Sequence, residues 1–170
     1  MLNRIEILER IKRDKLIEDY LDLDNQLQPS SFDLTLAKVY ELSKQGSIDF
    51  DNKERVISDT TEVPFNDDWV NLRPGVYKIQ YQEIVNVPKD LVGITICRTS
   101  LSRCGCDLSN GFWDPGYSGR GTAALMVHNP NGIRFKRRAK MAQITFIPIN
   151  ELKDENHLYQ GMHKGENIKK

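Results

Sequence analysis

Neither sign of charge is in excess in this chain: 24 Lys and Arg offset 24 Asp and Glu over 170 residues. A balanced chain has no broad field to gather nucleic acid or an anionic membrane, so any anion it binds must be held by local groups. Long apolar runs are missing too. The amino terminus is charged from Arg4 onward, and nothing approaches the ~18 residues of a membrane span or a signal-peptide core. A soluble, cytoplasmic protein is expected. Cysteine is scarce: Cys97, Cys104 and Cys106 form an odd set, and Cys104-Gly-Cys106 lacks the two-residue spacer of zinc and redox motifs. Plain reduced thiols are expected. His128, His157 and His163 have no partner at metal-ligand spacing, so the sequence offers no protein-built metal site.

What is present fits one domain, able to bury roughly two thirds of its unfolded surface without a disulfide or metal. Residues 1–150 read as that domain, and the polar stretch 151–170 as a mobile tail able to close over a site. Ile5, Leu8 and Ile11, then Leu16, Ile17 and Tyr20, recur at helical spacing and predict one or two short amphipathic helices, with no helix beyond them. From Phe32 the period falls to two. Strands are expected at Phe32 to Leu36, Val39 to Leu42, Val76 to Tyr81, Ile84 to Val87, Gly93 to Cys97, Ala123 to Val127, Ile133 to Phe135 and Met141 to Ile147. Gly, Pro and Asn clusters punctuate them at short intervals. Many short strands with frequent turns mean an all-β barrel or sandwich rather than a βαβ sheet.

Two segments carry chemistry. Arg98-Thr99-Ser100-Leu101-Ser102-Arg103 supplies two forked cations, three hydroxyls and backbone amides, a combination suited to phosphate oxygens. Gly111-Phe112-Trp113-Asp114-Pro115-Gly116-Tyr117 supplies a carboxylate beside aromatic rings, which suits activation of a water next to a bound ring system. The bland alternatives are surface ion pairs for the arginines and ordinary turn chemistry for Asp-Pro-Gly. The run Arg134-Phe135-Lys136-Arg137-Arg138-Ala139-Lys140 would divide its charges between two strand faces, so a solvated hairpin is expected there rather than a nucleic-acid patch.

Taken in order, Leu27-Gln28-Pro29-Ser30-Ser31-Phe32-Asp33-Leu34, Leu72-Arg73-Pro74-Gly75, Val87-Pro88-Lys89-Asp90-Leu91, the Arg98 to Arg103 segment, Asp114-Pro115-Gly116-Tyr117-Ser118-Gly119 and Ala142-Gln143-Ile144-Thr145-Phe146 resemble the dCTP deaminase and dUTPase superfamily. The resemblance implies a distorted β-barrel or jelly-roll with a short N-terminal helical segment, assembling as a homotrimer with nucleotide sites between subunits. It implies a deoxynucleoside triphosphate as the small-molecule partner, with Mg2+ carried by that triphosphate. Asp114 and Arg103 would be catalytic. Arg98, Thr99, Ser100, Asn110, Gly111, Tyr117 and Gln143 would bind substrate, Tyr117 as the ring under the deoxyribose. Tyr159, Gln160 and Lys164 would contribute from a closing tail.

One absence separates the two activities of that superfamily. Its deaminases need a glutamate on the strand about ten residues after the aspartate, to shuttle protons at C4 of cytosine. Ala124 stands at that spacing here, and no Asp or Glu occurs between Pro115 and Asn150. The metal-dependent deaminase pattern is absent as well. Hydrolysis of dUTP to dUMP and pyrophosphate is therefore the expected activity. A dCTP deaminase, alone or bifunctional, and a catalytically silent nucleotide-binding relative remain as alternatives, the last suggested by Ala124 and by Arg138 at a turn where the family has glycine.

Overall fold

A computed structural model describes residues 1–168. The chain begins with helix α1 (Arg4–Asp14), and its start is written locally. The Asn3 side chain accepts from the amides of Ile5 and Glu6, and Glu6 accepts the Asn3 amide in return, which closes a capping box. Ile7 and Ile11 are buried, while Ile5 is 68% exposed, so the buried stripe lies beside the one expected. Leu16, Ile17 and Tyr20 do not extend the helix. Lys15 caps it in the left-handed region, and Ile17–Glu18 becomes a short strand, β1, because an edge at Val85 and Ile84 offers it backbone partners. Two further short helices lie outside the expected pattern, α2 (Leu23–Gln26) and α3 (Thr99–Arg103).

The remaining strands are β2 (Phe32–Leu42), β3 (Thr60–Val63), β4 (Trp69–Leu72), β5 (Gly75–Tyr81), β6 (Ile84–Asn86), β7 (Leu91–Cys97), β8 (Cys106–Asn110), β9 (Ser118–Gly119), β10 (Thr122–Val127), β11 (Ile133–Lys136) and β12 (Lys140–Pro148). The main sheet runs β7-β12-β2-β5-β10-β8, with β3 also paired to β2, and every pairing is antiparallel. Its two ends meet. Gly93 of β7 exchanges both backbone hydrogen bonds with Trp113, just past β8, so the sheet nearly closes into a barrel. The small sheets β1-β6-β9 and β4-β11 cover its flanks.

Inside the barrel, Phe32, Leu34, Leu36, Val39, Ile79, Tyr81, Leu125, Ile144 and Phe146 are fully buried. Removing such side chains from water stabilises by about 1.5–3 kcal/mol each before entropy is counted. β2 departs from simple alternation: Phe32 to Leu36 are all buried. On the second face, Gln26 of α2 donates to the Asp33 carbonyl and to Glu83, and Glu83 accepts from the Thr35 amide and hydroxyl. Asp33 and Thr35, which alternation would leave wet, are therefore enclosed. The turn between β11 and β12 places Arg138 in the left-handed region (φ 66°), where glycine would sit without strain, at a cost of about 1–2 kcal/mol.

Candidate functional site

β7 ends at Cys97, and the chain turns at Arg98 into α3, whose first residues Thr99 and Ser100 are exposed, as is Arg103 at its end. Leu101 is the one residue of this helix that is buried, so it pins the turn while the polar positions face outward. The Arg98 Nε lies 3.4 Å from Asp33 Oδ1, leaving its forked Nη groups without a protein acceptor among the described residues. On β12, Gln143 stands opposite Asp33 in register, and its amide donates to Ser31 Oγ at 3.3 Å. Arg98 and Gln143 thus meet around Asp33 where β7 ends and β12 starts, and Thr99, Ser100 and Arg103 follow on α3.

A second neighbourhood forms around the hairpin after β8. Asp114-Pro115-Gly116-Tyr117 is a tight turn closed by the Tyr117 amide donating to the Asp114 carbonyl at 3.1 Å, with proline second and glycine third. Gly116 has φ 86°, so a side chain there would be strained. The turn holds the Asp114 carboxylate half-buried, with no hydrogen-bond partner among the described residues. Trp113 is buried, and its Nε1 donates to Thr95 Oγ1 at 2.7 Å. Its ring meets that of Tyr117 edge-on, centroids 5.1 Å apart, and Tyr117 meets Tyr159 at 5.8 Å. A Cβ on Gly121 would lie 2.3 Å from the Trp113 ring, so this wall requires glycine. These rings and Gly111, Phe112, Thr122, His163 and Glu166 line an open cleft of about 210 Å³.

The tail forms one side of that cleft. The Tyr159 amide donates to Pro115, the Gly165 amide to Ser118 and the Arg120 amide to Glu166. Tyr117 donates its phenol to Glu166 Oε1 at 2.9 Å, and His163 Nδ1 lies 3.2 Å from the other Glu166 oxygen. Burial foremost, and the Glu166 charge next, push the Tyr117 phenol well above its usual range, so it remains a neutral donor.

The expected site residues therefore fall into two groups. Gly111, Tyr117 and Tyr159 line the cleft, whereas Asp114 and Asn110 are not among its lining residues: Asp114 directly follows the lining Trp113, and Asn110 turns inward, its Oδ1 accepting from the Tyr81 phenol at 2.7 Å and its Nδ2 buried without a partner among the described residues. Gln160 and Lys164 are exposed on the tail, Gln160 donating to the Glu155 carbonyl at 3.4 Å. The groups are far apart within one chain. Trp113 pairs with Gly93, and five extended residues separate Gly93 from Arg98, roughly 16 Å at ~3.3 Å per residue. The pairing is antiparallel, so Asp114 continues away from Arg98. Sequence reasoning missed Glu166, His163, Thr122, Phe112 and Trp113 as cleft residues. The tail pair lay in a polar stretch without periodicity, whereas Trp113, adjacent to Asp114, was a usable signal. Ala124 lies on β10 opposite Lys78 and Ser109, on the face turned away from Leu125.

Among the described residues, no group of three His, Cys, Asp or Glu is arranged to hold a metal ion, and all three cysteines are free. No helix is long and apolar enough to cross a membrane.

Comparison with known proteins bears on both groups. A family model described as dCTP deaminase-like matches residues 1–149. A protein of Archaeoglobus fulgidus named probable deoxyuridine 5′-triphosphate nucleotidohydrolase is 41% identical over 168 residues, covering 99% of this chain and 98% of the relative. A protein of the same name from Methanococcoides burtonii is 39% identical over 170 residues, covering 99% of each chain. Among solved structures, the 2′-deoxycytidine 5′-triphosphate deaminase of Agrobacterium tumefaciens superposes with a TM-score of 0.64 at 20% identity, over 88% of this chain. The chain spans about half the length of that structure, covering 48% of it, and the likeness is one of fold.

Proposed function

The chain belongs to the dCTP deaminase-like family, and from that premise we propose that it is a dUTP diphosphatase, releasing dUMP and pyrophosphate. The observation that carries this reading is the Asp114 carboxylate, half-buried and without a hydrogen-bond partner among the described residues at the first position of a tight turn, between Trp113 and Tyr117 of the cleft wall, in a chain whose β10 carries Ala124 at the deaminase glutamate's spacing. The two near full-length relatives that share the nucleotidohydrolase name support the same choice.

In the proposed mechanism, the nucleoside enters the cleft walled by Trp113, Tyr117 and Tyr159, with the deoxyribose against the Tyr117 ring. Asp114 accepts a proton from a water as that water's oxygen bonds to the α-phosphorus. The α–β bridging bond breaks, and pyrophosphate leaves with the electron pair. Such general-base help is worth ~10² to 10⁴ in rate. Arg98, Arg103, Thr99 and Ser100 grip the phosphate oxygens, Arg103 with the charge that builds on the leaving pyrophosphate. The substrate is the magnesium complex of the triphosphate, the ion being held by phosphate oxygens and its own waters. Tyr159, Gln160 and Lys164 belong to a tail that closes over bound nucleotide, and residues 1–150 form the domain it closes on.

The separation of Asp114 from Arg98 along β7 supports a site completed by a neighbouring subunit, as in a homotrimer. Exposed apolar side chains at Ile94, Ile96, Val76 and Phe112 supply surface for such contacts. The protein is expected to act in the cytoplasm on a soluble nucleotide pool. Incubation with magnesium and either dUTP or dCTP, followed for pyrophosphate and ammonia, tests the activity. Pyrophosphate from dUTP should fall ~10² to 10⁴-fold in Asp114→Asn without a change in melting temperature. Ammonia from dCTP would overturn the choice, and binding without turnover would assign the chain to a silent relative.

A further inference from the structure

Asp33 has no exposed surface, yet it carries an ionisable carboxyl at the second position of the longest strand. Isolated burial of such a charge is strongly unfavourable, and stability alone would be served as well by an apolar side chain of similar size. Its surroundings explain how it is tolerated. Arg98 Nε lies 3.4 Å from Oδ1, Lys140 Nζ 3.1 Å from Oδ2, and Gln28 Nε2 donates to Oδ2 at 3.2 Å. The two cations remain partly open to solvent, with side-chain exposures of 31% and 28%. The buried anion thus faces two partly exposed cations, and one of them, Arg98, is the residue from which α3 starts.

The details are asymmetric. Lys140 also donates to the Asn25 carbonyl, so its head is held by two acceptors. Oδ1, the oxygen that faces Arg98, makes no hydrogen bond at all. Arg98 approaches the carboxylate by charge through Nε, while its Nη groups have no hydrogen-bond partner among the described residues. A neighbouring buried carboxyl shows what a purely structural arrangement looks like. Glu83 accepts from the Thr35 amide, the Thr35 hydroxyl and the Gln26 amide, all neutral donors, and pairs with no cation among the described residues.

We propose that Asp33 is a positioning residue for triphosphate recognition: it anchors Arg98 by Nε so that the Nη fork is presented to the terminal phosphates, and it sets selectivity for chain length. The proposal rests on the dUTP reading above. Its consequence is specific. Without the buried charge, Arg98 is free to rotate, and contacts to the β and γ phosphates weaken while contacts to the nucleoside and α phosphate do not.

The test is binding of α,β-imido-dUTP and of dUMP, with magnesium, by wild type, Asp33→Asn, Arg98→Ala and the double variant. Asp33→Asn should weaken the imido-triphosphate about tenfold and dUMP less than twofold, and KM for dUTP should rise while kcat stays within about threefold. In the Arg98→Ala background, Asp33→Asn should add no further loss. Equal losses for both ligands, no loss for either, or additive losses in the double variant would each overturn the proposal. Asp33→Ser carries the same test should the Asn form lack a cooperative melt. Failure of wild type to bind either nucleotide would instead remove the dUTP reading itself.

Discussion

The two halves of the candidate site are built on opposite principles. Around α3 the candidate groups are two arginines and two hydroxyls, exposed at Thr99, Ser100 and Arg103 and, at Arg98, half-buried and ion-paired to a buried anion. Around the Asp114 turn the walls are aromatic and buried, with their polar tips tied by neutral donors to Thr95 or to the tail. The first arrangement suits a ligand that brings its own charge and is strongly hydrated. The second suits a flat ring and a sugar, for which shape and exclusion of water decide more than charge. The difference teaches that stability and binding are separable here: the hairpin half belongs to the core, and the helix half is attached to it.

The widest gap between the halves should appear on truncation. Trp113→Ala removes a buried ring that packs on Tyr117 and Gly121 and is expected to cost about 3–5 kcal/mol of folding stability. Arg103→Ala, at an exposed helix end, should stay within about 0.5 kcal/mol while raising KM for dUTP. Paired thermal or urea melts with steady-state kinetics check both, and a stable Trp113→Ala protein would end the contrast. A smaller effect follows from ending the chain after Lys153, which removes Tyr159, His163 and Glu166 from the cleft. KM should rise about tenfold, or ~1.4 kcal/mol, because the lost segment is largely exposed and contributes to closure more than to the core.

The smallest effect concerns the buried Glu83 carboxyl, which follows β5 and accepts from Thr35 of β2. Burial foremost pushes the Glu83 carboxyl above its usual range, against the lowering influence of its hydrogen bonds from Thr35 and Gln26. A raised folded pKa means that this group's contribution is fully present below the ordinary glutamate value near 4.5 and is lost as pH rises through the folded value. Stability measured against Glu83→Gln should therefore decline with pH in that window, by at most about 1.4 kcal/mol per pH unit. Denaturant melts of the wild type and Glu83→Gln from pH 4 upward check this, and a stability difference that stays flat with pH would overturn it.

Much of this was legible in the sequence. Period-two alternation located most strands, and β2 came out as one strand where two were expected, because it carries the break between Leu36 and Lys38 as a register shift against β5. β3, β4 and β9 escaped because Thr60–Val63, Trp69–Leu72 and Ser118–Gly119 are too short to show a period. α3 escaped for a related reason: one helical turn has a single inward position, Leu101, and no repeat. The Asp114 turn was readable because Asp-Pro-Gly states its own geometry. Glu166 was not, since its place depends on backbone pairing of the tail with Ser118 and Arg120, which no local pattern announces.

The antiparallel bridge between Gly93 and Trp113 has a genetic consequence. It sends Asp114 and Arg98 in opposite directions along one strand, so under the shared-site reading a chain damaged at one end keeps the other end whole. Two different defective alleles would then complement each other in mixed assemblies, one subunit lending its turn and its neighbour lending its helix. Selection on such a protein acts on the partnership of chains as well as on each chain alone.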